Sequence, residues 1–150
     1  MTNNVDPLSI PADIHSAMVA HCQREAPLEC CGLLGGVQPL VSSFHPLRNA
    51  DASETRYNAD PKDLIEAVVS LRNRGAQILA IYHSHPRWEA VPSQTDLREN
   101  HYGEVPRIIV SLLGSTPVVR VWRLDVASYE ELPWRIVPDA AGGLPLNPAP

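Results

Sequence analysis

The sequence has no Cys-x-x-Cys pair. Its three cysteines, Cys22, Cys30 and Cys31, therefore exclude a thiolate zinc finger. Basic residues are few, twelve against seventeen acidic ones for a net charge of −5, and eleven of the twelve are arginine. The basic face that a general nucleic-acid binder needs is absent, so no nucleic acid is expected among the partners. No apolar run approaches the roughly 20 residues that cross a bilayer. Met1 to Asp6 is polar and lacks an apolar export core. An odd cysteine count without such a leader fits a reducing compartment, so the expected location is cytoplasmic, with no membrane partner. A His-Glu-x-x-His helix motif is missing too, which excludes the commonest arrangement of zinc ligands with a neighbouring base.

What is present is ordinary globular material: 150 residues, 44% hydrophobic and 19% charged. That length supports one domain with a real core. A first helix is predicted over 11–25, with Pro11 in its first turn, Ile14, Met18 and Cys22 on one face, and Pro27 as the stop. Two strands follow over 29–36 and 37–45, then a polar loop over 46–58 with a short strand near Arg56 and Tyr57. The second helix has Asp60 as N-cap, Pro61 at its first position and Gly75 as a left-handed stop. Leu64, Ile65, Val68 and Leu71 form its expected buried stripe. Residues 77–83 read as a central strand. A short helix over 93–101 and strands over 107–113, 117–124 and 129–137 complete the pattern. Residues 138–150 hold four prolines and two glycines, and are expected to form a disordered tail behind a domain spanning 1–137.

The chemistry concentrates at the end of the central strand. His83-Ser84-His85-Pro86 is followed by Ser93-Gln94-Thr95-Asp96. In extended backbone, residues i and i+2 face the same way, so the two imidazoles can converge. Ser93-x-x-Asp96 also reads as a capping box that starts a helix; the two readings are compatible, because the cap would aim the Asp96 carboxylate. Three protein ligands with an open fourth position are the catalytic kind of zinc site. The candidate base is Glu29, a lone acid just before an apolar run, where an unpaired carboxylate is costly.

This ordered set, Glu29, then His83-x-His85-Pro86, then Ser93-x-x-Asp96, resembles the JAMM (MPN+) metalloprotease family. The stretch from Glu29 to Gly35 resembles its compact bacterial members, and the likeness covers about residues 10–125. The resemblance implies an α/β fold, a mixed β-sheet flanked by helices with a layout like that of the cytidine deaminases. It implies one Zn²⁺ per chain on His83, His85 and Asp96, a catalytic water, Glu29 as general base and Ser93 as hydrogen-bond donor to the oxyanion. A zinc deaminase itself is excluded, since His-x-Glu and Pro-Cys-x-x-Cys are both missing. The implied reaction is hydrolysis after the C-terminal glycines of a ubiquitin-like or sulfur-carrier protein, with cysteine as a released amino acid. Removal of ubiquitin-like modifiers from lysine is the alternative, and a non-catalytic scaffold the second; the resemblance leaves room for a homodimer. His15, His21, His45 and His101 match no motif position. Trp88, between the ligands, reads either as core or as an exposed aromatic that holds substrate. Of Cys30 and Cys31, which alternate faces, one is expected in the core and the other near the site.

Overall fold

The computed structural model describes residues 6–139, which form eight strands and three helices. Strand β1 (Leu8–Pro11) is fully buried but only four residues long, too short to give the sequence a readable period. It runs straight into helix α1 (Ala12–Glu25), so Pro11 occupies the N-cap position rather than the first helical turn and offers no side-chain cap. Asp139 supplies one from the far end of the described chain, accepting the Asp13 N–H at 2.8 Å. Two residues of the expected tail thus belong to the described structure, and residues 140–150 of it lie outside the described residues.

Strands β2 (Cys31–Val37) and β3 (Leu40–Leu47) form a hairpin, shifted one to three residues beyond the expected spans because Gln38 and Pro39 make the turn. The strand expected near Arg56 and Tyr57 is a single bridge between Asn49 and Ala59. Helix α2 (Pro61–Asn73) starts as expected, with the Asp60 carboxylate accepting the Lys62 N–H, and stops before Gly75 at φ +65°. Its buried face differs from the expected stripe. Ile65 is 64% exposed, while Ala67 and Leu71 are buried. At 100° per residue, Leu64, Ala67 and Leu71 share a narrow face that leaves Ile65 outside.

Strand β4 (Gln77–His85) extends through both site histidines. It lies fourth in the sheet order β7 (Tyr129–Leu132), β6 (Val118–Leu124), β5 (Arg107–Ser111), β4, β2, β3, β1, β8 (Trp134–Val137). It pairs antiparallel with β2 and parallel with β5 (Arg107–Ser111), which is followed by the antiparallel β6 (Val118–Leu124). Gly32 is opposite Tyr82 in this ladder, and a Cβ there would sit 2.3 Å from the tyrosine ring, so glycine is required for the ring to lie across β2. The expected last strand is broken by Pro133 into β7 (Tyr129–Leu132) and β8 (Trp134–Val137), at opposite edges of the sheet. Since one residue separates them, the two edges meet at that corner and the sheet curls. Its inner face and α1 share one apolar cluster that includes Ile10, Met18, Leu34, Tyr82, Ile108 and Val121. The outer face carries two smaller clusters, one beneath α2 and one beneath the loop 86–93, where the Trp122 indole N–H donates to the Ala90 carbonyl at 2.9 Å.

Candidate metal centre

Between the two outer clusters, β4 presents His83 and His85 on the same side, as alternation along a strand requires. Helix α3 (Gln94–Arg98) brings the third group. Its N-cap Ser93 accepts the Asp96 N–H on Oγ at 3.0 Å and donates its own N–H to Asp96 Oδ2 at 2.9 Å. The helix is shorter than expected, because Asn100 and Gly103 turn the chain away. The capping box fixes the Asp96 side chain so that Oδ1 lies 3.1 Å from His83 Nε2 and Oδ2 lies 3.1 Å from His85 Nε2. The two Nε2 atoms are 3.2 Å apart.

His85 Nδ1 lies 2.8 Å from the Glu89 carbonyl, which can only accept. The proton therefore sits on Nδ1, and Nε2 turns a lone pair toward His83 and Asp96. Burial opposes ionisation of Asp96, but His83, His85 and the Ser93 N–H outweigh it and hold the carboxyl well below the usual range. Burial likewise opposes charge on His85, and Asp96 outweighs it. Three electron-pair donors thus lie within 4.8 Å of one another in a nearly dry place, an arrangement that suits a divalent cation. Two nitrogens and one carboxylate are a zinc-type donor set. Among the described residues no other group of this kind occurs.

Glu29 lies just before β2. Its backbone is tied by its N–H to the Ser53 carbonyl at 2.8 Å and by its carbonyl to the Asn49 amide at 3.0 Å. The side chain is 2% exposed, and Oε1 has no hydrogen-bond partner. Burial pushes its pKa up to about 8, against the pull of His85 and with a further push from Asp96. A buried acid left unpaired beside such a cluster is a group poised for proton transfer. It lines a cavity of about 750 Å³ on one side, while Asp96 and Thr95 line another of about 420 Å³.

Other neighbours gave no sequence signal. Tyr57 stacks on His83 with ring centroids 4.8 Å apart, and its hydroxyl accepts from the buried Arg107 at 3.0 Å. Arg107 also donates to Asn100, so the loop before α2, the loop after α3 and β5 are joined behind His83. Only the register explains why: Arg107 is beside Ile81 in the parallel β4–β5 ladder, which puts it on the site's face. Trp88 is 59% exposed, which removes the core reading, and Arg87 beside it pairs with Glu54 at 3.0 Å. Cys31 is opposite His83 on the site's face, and Cys30 belongs to the core around α1. His15, His21 and His45 are engaged elsewhere, with Trp134, Tyr82 and Ser43.

Residues 11–125 match the family described as prokaryotic homologs of the JAB domain. A Thermus thermophilus protein named as a probable TtuB-protein conjugate cleaving protease is 41% identical over 108 residues, 71% of this chain and 72% of that one. A CysO-cysteine peptidase of Mycobacterium tuberculosis is 31% identical over 142 residues, 93% of this chain and 90% of that one. The solution structure of protein DSY2949 from Desulfitobacterium hafniense superposes with a TM-score of 0.82 at 28% identity, covering 89% of this chain and 94% of that one.

Proposed function

The chain belongs to the prokaryotic JAB-domain family, and from that premise we propose that it is a zinc-dependent peptidase. It hydrolyses the bond after the C-terminal glycines of a small ubiquitin-like sulfur carrier and releases cysteine. The observation that carries the reading is the convergence of His83, His85 and Asp96 beside a buried, unpartnered Glu29. His83, His85 and Asp96 would hold one zinc ion, which as a Lewis acid brings the pKa of a water to about 7.

Glu29 takes the proton from the attacking water and delivers it to the leaving amine nitrogen. Beside a bound cation its raised pKa would be drawn back toward neutrality, where the carboxyl can both accept and return a proton. Ser93 uses its oxygen, not its proton, in the capping box, which leaves the hydroxyl proton for the oxyanion that develops on the scissile carbonyl. The glycine tail lies extended along the site, and cavities on the Glu29 and Asp96 sides leave room for the two ends of the bond. Trp88, exposed in the loop between the ligands, contacts the substrate.

The relative named for cleaving protein conjugates favours a second reading, in which the leaving group is a lysine side chain. Purified, zinc-loaded protein assayed against a carrier–cysteine adduct and a carrier–lysine isopeptide separates the two. Faster release of cysteine is expected. Turnover of the lysine conjugate alone would replace the first reading with the second, and inactivity on both would leave a non-catalytic scaffold.

A further inference from the structure

Two of the three free cysteines meet in the core. Cys22 on α1 and Cys30 just before β2 hold their Sγ atoms 3.2 Å apart, and both side chains are fully buried. Cys31 is directed elsewhere, with its Sγ 4.0 Å from the Leu47 carbonyl. His21, whose Nδ1 is 2.7 Å from the Tyr82 hydroxyl, lies close enough to Cys30 to favour its thiolate. His21 and Cys30 line the cavity of about 750 Å³ that reaches Glu29, whereas Cys22 lies behind Cys30. Local opening of this wall brings a small reagent in the cavity to the Cys30 thiol first, with a histidine beside it and the Cys22 thiol in reserve.

We propose that Cys22 and Cys30 are a redox-active dithiol that a hydroperoxide converts to a disulfide, and that the oxidised protein turns over more slowly. The Cys30 sulfur attacks the peroxide, forming S–O and breaking O–O, and the thiol proton passes through His21 to the departing hydroxide, giving water. The Cys22 sulfur then attacks the sulfenic sulfur of Cys30, forming S–S and breaking S–O, and its proton leaves with the hydroxide as a second water. Two thiols are oxidised by two electrons and one hydrogen peroxide is reduced to two waters. Cys30 is the attacking sulfur because it lines the cavity with His21 while Cys22 lies behind it, and the hydrogen bond it shares with Cys22 favours its thiolate.

The effect on turnover follows from what Cys30 is fastened to. Its N–H donates to Ser84 Oγ at 2.9 Å, and its carbonyl accepts the Ser84 N–H at 3.0 Å. Ser84 stands between the two ligand histidines, and Glu29 immediately precedes Cys30. Closing the sulfurs from 3.2 Å to a bond of about 2.05 Å is shared by both residues, and this segment moves by up to about 1 Å. A displacement of that size at a base costs up to about 100-fold in rate.

The dithiol chemistry is independent of the peptidase reading, and its effect on turnover rests on it. Zinc-loaded full-length protein is treated with one equivalent of hydrogen peroxide, mapped without reduction, and assayed on the carrier–cysteine adduct before and after dithiothreitol. A Cys22–Cys30 crosslink, an alkylatable Cys31, and a loss of turnover of about tenfold or more that dithiothreitol reverses are expected. Cys22→Ala and Cys22→Ser should abolish the response, and Cys31→Ala should keep it. Free thiols at both positions after peroxide would overturn the dithiol, and crosslinked protein of full activity would overturn the control. Reduced protein with no activity on the adduct would sink the function and the control together, while the crosslink arm would still judge the dithiol.

Discussion

At the residue scale, Glu29 concentrates the consequences. Its folded pKa is raised to about 8 by burial, above the ordinary carboxyl value of 4.5. The unfolded chain therefore releases this proton first as pH rises. The contribution to stability is fully present below about pH 4.5, declines through the window up to about 8, and is then lost. In zinc-free protein, Glu29→Gln removes this dependence, so the variant should gain on the parent across that window, by on the order of a few kcal/mol at its upper end. Parallel urea titrations at several pH values check this, and a difference that does not change with pH would show that the carboxyl is not buried neutral. In the zinc-loaded protein the same substitution should keep the metal and lower kcat by about 100-fold or more. Normal turnover in Glu29→Gln would assign the base elsewhere.

At the element scale, helix α3 is too short to be stable alone and exists to aim one carboxylate. Ser93→Ala removes the Oγ that accepts the Asp96 N–H and the hydroxyl offered to the oxyanion. Stability should fall by about 1 kcal/mol, and kcat by about 100-fold or more, with zinc retained because the Ser93 N–H still holds Asp96 Oδ2. Thermal melts, metal analysis and steady-state kinetics separate the three effects, and a kcat reduced only as far as zinc content is reduced would make Ser93 a cap alone. The cap was legible in the sequence, because a capping box is a local pattern, and the convergence of His83, His85 and Asp96 was legible from their spacing in the same way. The ends of α2 were legible for the same reason, through Asp60 and Gly75. What was not legible depends on distant partners: β1 is held by pairing with β3 and β8, Pro133 divides one apparent strand between two sheet edges, and Ile65 is exposed because small Ala67 takes the buried face. Tyr57 and Arg107 behind His83 were silent too, since only strand register puts them there.

At the scale of the whole molecule, the candidate metal centre joins parts of the sheet's outer face that apolar packing leaves separate. The cluster beneath α2 and the cluster beneath the loop 86–93 share no residue, and His83, His85 and Asp96 stand between them. A cation held there would tie β4 to α3 and bind the folded chain only, since the unfolded chain does not hold the three donors together. Its binding free energy is then folding free energy. At free zinc of 1,000 times Kd the gain is about 4 kcal/mol. For a chain of this size that corresponds to a rise in Tm on the order of 10 °C. Calorimetry of the parent with and without a chelator should show that difference. His85→Ala, which removes a nitrogen donor, should melt at one temperature in both conditions and bind no zinc. Glu29→Gln should respond to chelation like the parent, because Glu29 is not among the three donors. If the chelator shifted parent and His85→Ala equally, the stabilising ion would lie elsewhere and the three-donor site would be wrong. Equal melting of the parent in both conditions would mean that these donors hold no ion that matters to the fold.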